Sequence, residues 1–159
     1  RRSKQQMAAY PSRAASHAQR VADFAIKISG SVECLPSFAM PTLTVFSRQS
    51  PAPAYDHPRP DRRVRGNPLR TTFEHFLAAN GQLSAGIWAC EPGAWQIAFA
   101  PDKYEFFNVI EGRIRISDAQ GQAAEFGPGE ACIIPAGFTG TFEVLEAVRK
   151  YYFLVEQPA

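Results

Sequence analysis

The sequence predicts an all-β fold, an antiparallel sandwich or barrel. Three observations carry this. From Thr71 onward, short apolar runs alternate with turn signals at close spacing. Several of those runs alternate strictly between apolar and polar, as a strand with one buried face must. Nothing between them has the 3.6-residue apolar period of a packed helix.

The elements follow in chain order. Residues 1–39 differ from the rest. Arg1 to Arg20 is rich in Arg, Ser, Ala and Gln and lacks any acid, a composition shared with organellar transit peptides. Met40-Pro-Thr-Leu-Thr-Val reads as the more natural start, with 1–39 a poorly ordered extension that has room for one short helix over 21–28. Residues 40–70 form a Pro/Arg-rich arm: Pro51-Ala-Pro, His57-Pro-Arg-Pro, Asp61-Arg-Arg. Each Pro lacks a donor and pushes its predecessor to extended geometry, so an arm on the surface, lying across a neighbouring subunit, is expected.

Residues 71–159 are the barrel. Strands are expected over 73–77 and 83–90, joined at Asn80-Gly81, the strongest short hairpin signal in the chain. After a turn at Glu91-Pro-Gly, the run 95–99 places Trp95, Ile97 and Phe99 on one face. Strands over 104–110 and 113–117 follow, then a hairpin at Asp118-Ala-Gln-Gly121. Runs at 123–126, 131–134, 139–145 and 148–155 complete the set.

Composition excludes several function classes. A formal charge of +2 is too weak to argue for a nucleic-acid partner, which needs clustered Lys and Arg. No apolar run approaches the ~20 residues that span a bilayer. Cys34, Cys90 and Cys132 are an odd number without CxxC spacing. They read as free thiols in a reducing compartment, so a cytoplasmic location is expected.

The run E-x6-G from Glu105 to Gly112 and the run G-x5-P-x-G from Gly129 to Gly137 resemble the two signature motifs of the cupin superfamily. The resemblance spans about residues 73–155 and implies an antiparallel jelly-roll barrel (RmlC-like). Gly86-Ile-Trp-Ala-Cys-Glu-Pro-Gly, Phe126-Gly-Pro-Gly-Glu and Val148-Arg-Lys-Tyr-Tyr narrow it. They are similar to small single-domain cupins grouped with the (S)-ureidoglycine aminohydrolase and the ethanolamine-utilisation cupin domains. Single barrels of this kind commonly pair, so a homodimer is implied.

Metal-binding cupins carry a histidine pair, which here falls at Phe99 and Pro101 or one residue earlier, and a later histidine, which falls at Gly140. Only Glu105 matches a ligand of the family. One carboxylate cannot replace the three or four N, O or S donors a divalent metal requires, so no metal and no other cofactor are expected. The rival set would be Glu105, His75 and Cys90.

Glu105 and Lys150 are the candidate catalytic residues. In the family's register Glu105, Phe107 and Val109 face the lumen, where desolvation penalises the charged acid and suits it to proton transfer. Lys150 interrupts an apolar run. Inward, it pairs with Glu105 or acts as a base or imine former; the simpler expectation is a snorkelling surface Lys with Tyr151 inward. Trp88, Trp95, Phe99, Tyr104 and Tyr152 are candidate ligand contacts, Tyr104 foremost among the aromatics for presenting a polar tip. The expected function is metal-free binding of a small polar metabolite in the barrel mouth, with proton transfer or hydrolysis of a small nitrogenous compound. The alternative is a non-catalytic ligand sensor or dimeric assembly module.

Overall fold

The computed structural model describes residues 42–157. The expectations for residues 1–39, the helix over 21–28 and the start at Met40 lie outside them. Nine strands follow: β1 (Ala54–Asp56), β2 (Arg63–Arg65), β3 (Arg70–Leu77), β4 (Leu83–Cys90), β5 (Gly93–Ala98), β6 (Lys103–Asp118), β7 (Ala123–Phe126), β8 (Ala131–Ile134) and β9 (Thr139–Glu156). Every pairing among them is antiparallel. The only helical pieces among the described residues are 3-10 turns at Phe46–Arg48 and Pro60–Arg62. None of the described helices is long and apolar enough to cross a membrane.

Both predicted hairpin turns close hairpins. At Asn80-Gly81 the Gly81 amide donates to Ala78 and the Ala78 amide to Leu83, each at 2.8 Å. Asp118 Oδ1 accepts from the amides of Gln120 and Gln122 at 2.9 Å, the side-chain mimic of a turn that aspartate favours.

Two long strands close the barrel. The runs 104–110 and 113–117 are one strand, β6, and 139–145 and 148–155 are one strand, β9. The reason lies at Gly112. Glu111-Gly112 looks like a turn, but the ladder to β9 continues through it with register shifts between Val109 and Ile114. Gly112 sits at φ +80°, and a Cβ there would fall 2.1 Å from the Ala147 carbonyl oxygen. Only glycine lets the two backbones approach so closely. The bulge also resets the inward face of β6: Phe107 and Val109 are buried before it, Ile114 and Ile116 after it. β9 pairs with β5 through 139–144 and with β4 through 148–155, so the sheet curls into a jelly-roll barrel.

The arm is stitched to its own barrel. β1 pairs with β3, and β2 with β5, while the Arg63 Nε donates to the Pro58 carbonyl at 2.8 Å. Proline-imposed extended geometry is already strand-like, and the residues between the prolines keep their amides. They therefore add edge strands, and the sheet begins at Ala54 rather than Thr71. Inside, Phe107, Val109, Ile114 and Val144 are almost fully buried, with Trp95, Ile134, Phe142 and Val148 packed around them.

Candidate functional site

The inner faces of β4, β6 and β9 bring Lys150 and Glu105 together. Lys150 lies opposite Trp88 on β4 and Val109 on β6, and Glu105 opposite Leu154 on β9 and Ile134 on β8. The Lys150 ammonium donates to Glu105 Oε1 at 2.6 Å. Lys150 is only 3% exposed. Its Nζ stands 4.5 Å from the ring centre of Phe107, 4.8 Å from Trp88 and 5.1 Å from Phe142. Burying an ammonium is costly unless it is paired. One charge-assisted hydrogen bond and three aromatic faces together offset that cost.

The pair opens onto a pocket of about 360 Å³. Of the residues expected there, Glu105, Lys150, Trp88, Trp95, Phe99 and Tyr152 line it. Tyr104 does not. It is 38% exposed on the outer face, because Glu105 takes the inward position and alternation turns both its neighbours out. The expectation of an inward Tyr151 is likewise corrected. Tyr151 is exposed and Lys150 buried, since alternation along this end of β9 turns Val148, Lys150 and Tyr152 to the core.

Arg70, Glu74 and Phe142 also line the pocket and were missed. A strand read as starting at residue 73 hides the Arg70, Thr72, Glu74 alternation of β3. Phe142, directly opposite Trp95, could have been found from the alternation of 139–145. The wall is aromatic: Trp95 stacks on Phe142 at 5.1 Å, and Trp88 meets Phe142 edge-on at 5.9 Å. The Arg70 guanidinium lies 5.7 Å from the Trp95 ring centre and is anchored by Asp56, with Nε to Oδ1 at 2.8 Å. Tyr152 leans over Gly86, where a Cβ would come within 3.0 Å of its ring. Burial pushes the Tyr152 phenol up, Glu74 and Glu105 push the same way, and a hydrogen bond with Ser84 opposes them.

The residues present do not fit a metal. His75 Nδ1 is 2.9 Å from the Phe73 carbonyl oxygen and its ring stacks on Phe46 at 4.3 Å, away from the pocket lining. The Cys90 thiol donates to the Glu91 carbonyl at 3.2 Å, and burial pushes it up to about 12. Among the described residues no three of His, Cys, Asp and Glu converge. Beside Glu105 stand an ammonium and ring carbons, which is not a donor set for a divalent ion.

Comparison with known proteins bears on the barrel directly. A family model described as the EutQ-like cupin domain matches residues 77–152. The barrel has the cupin fold. Similar structures include a protein of unknown function from Pseudomonas syringae pv. tomato, of the DUF861 family. It is 23% identical over 65% of this chain and 43% of that one, with a TM-score of 0.58. The EutQ protein of Clostridium difficile is 20% identical, covering 56% and 64%, at a TM-score of 0.48. Ectoine synthase from P. lautus is 13% identical, covering 55% and 64%, also at 0.48. The chain spans less than two thirds of the length of each, and the likeness to the first is one of fold alone. Comparison with curated protein sequences finds no match.

Proposed function

We propose that this cupin domain binds a small polar metabolite in the mouth of its barrel, with Glu105 as the receiving group. One observation carries the reading. Glu105 lines an open aromatic-walled pocket, and among the described residues only its Oε1 has a hydrogen-bond partner, Lys150. The second oxygen is left for a ligand donor. Lys150 holds the carboxylate in place from one oxygen while the rings wall the pocket, an arrangement that aims the other oxygen at a proton of a bound ligand. Proton transfer on, or hydrolysis of, a small nitrogenous compound is the chemistry within reach.

A thermal-shift screen against ureides, amino acids, amines and sugar acids tests this. A ligand at a hundredfold its Kd stabilises by about 2.7 kcal/mol, several degrees for a domain of this size. The shift should vanish in Glu105→Gln. A shift that survives that substitution discards Glu105 as a contact, and silence across all four classes leaves the second reading.

That second reading is an assembly module built on the outer face of the same sheet. In register, Ile133, Phe106, Phe153, Ala85 and Phe76 form one row across β8, β6, β9, β4 and β3. Ile133, Phe106, Phe153 and Phe76 are all exposed. An apolar row of this width on an open sheet face is the mark of a covered surface, and a second copy of the chain is the occupant proposed.

A further inference from the structure

The charges around the pocket do not balance, and the imbalance sets the class of ligand. Lys150 is neutralised by Glu105, and Arg70 by Asp56. Glu74 lines the same pocket and has no ion-pair partner among the described residues. Its neighbours in register are Gly86 and then Tyr152, while Glu105 lies two residues before Phe107, the partner of Tyr152 on β6. The two carboxylates therefore flank the Tyr152 phenol from opposite strands, and both act electrostatically on it. An ionised carboxylate only accepts hydrogen bonds, and aromatic faces carry negative potential. One wall of the cavity already holds two organic cations, Lys150 and Arg70, against its rings.

Resting on the pocket reading above, we infer that the ligand bears one protonated nitrogen, as an amine, amidine or guanidine. Its N–H donors meet Glu74 and Glu105, and its carbon stem lies against Trp88 and Trp95. A carboxylate ligand would instead face the uncompensated Glu74 and find both cations already paired. A neutral alcohol could donate to only one of the two acids.

Four probes of matched size decide it: n-butylguanidine, n-butylamine, n-butanol and butyrate, titrated against the full chain with tryptophan fluorescence as the readout. The guanidine or amine should bind at least about tenfold more tightly than the alcohol or the acid, the scale of a charge-assisted hydrogen bond. Glu74→Gln and Glu105→Gln should each weaken that binding by about tenfold. Glu74 is exposed, so its variant keeps the fold, which circular dichroism checks. Butyrate or butanol binding as tightly as butylamine overturns the inference on charge and leaves the pocket reading standing. Unchanged binding in Glu74→Gln also overturns it. If no probe perturbs the fluorescence the inference falls, and the thermal-shift screen decides the pocket reading on its own.

Discussion

The Lys150 ammonium is almost out of contact with water, and among the described residues its only ion-pair partner is Glu105. Breaking a buried pair costs more than removing both partners, because the survivor is left desolvated and alone. Lys150→Met should therefore destabilise the domain by about 3 kcal/mol, and adding Glu105→Gln to it should restore part of the loss. Urea unfolding of the two single variants and the double variant checks this. Strictly additive losses would mean the two groups are not coupled. The inward turn of Lys150 was beyond a sequence reading. Lys150-Tyr151-Tyr152 gives a polar-tipped residue at either parity, and Trp88 and Glu105, which decide between them, belong to other strands. Glu105 was legible because a motif marks it. Cys90 supplies a test against pH. Its folded thiol holds its proton up to about 12 against an ordinary 9.0, whereas the unfolded chain releases it near 9. The thiol's contribution to stability is whole below pH 9 and declines as pH rises from 9 toward 12. Thermal melts across that window should fall less steeply in Cys90→Ala. At pH 8 peptide mapping should find Cys90 unalkylated by iodoacetamide in the folded protein.

β6 and β9 are the elements that alternation alone could not join. Each apolar run was visible, yet glycine at position 112 signals an interruption whether the chain turns away or merely bulges. What separates the two outcomes is the partner strand: the Ala147 carbonyl sits where a Cβ would go. The edge strands β1 and β2 were obscured for a related reason. Their prolines mark where a ladder cannot run, and say nothing of the three-residue stretches between them. The contrast between two glycines tests the bulge. Gly121 has a similar φ of +83° with open space around its Cβ position, so Gly121→Ala should cost about 1 kcal/mol from backbone strain alone. Gly112→Ala adds a backbone clash to that strain and should cost about 3 kcal/mol or more. Equal costs in denaturant unfolding would mean β6 and β9 part at Gly112 rather than pass through it.

The barrel as a whole has two faces of opposite character, a charged, aromatic-walled lumen and an apolar outer sheet. Residues lumenal on β6, β8 and β9 alternate with the exposed Phe106, Ile133, Tyr151 and Phe153, so one alternation supplies both. The two-fold pairing proposed through that outer face fits its charges. Beside the row, further along β6 and β9, Glu111 and Arg149 are register partners, both exposed. Both signs thus occur at its rim while the row itself is free of charge, the pattern of a self-complementary patch with an apolar core and a polar rim. The full chain should sediment as a dimer across a dilution series, and Phe106→Glu or Phe153→Glu should shift it to monomer. Neither side chain reaches the lumen, so butylamine titration of those variants should match that of the parent. A monomer at every concentration would leave the outer face uncovered and remove the assembly reading. A dimer indifferent to both substitutions would place the contact on another surface. Dissociation that also abolished amine binding would mean that the pocket needs the second copy, and that the two faces act as one unit.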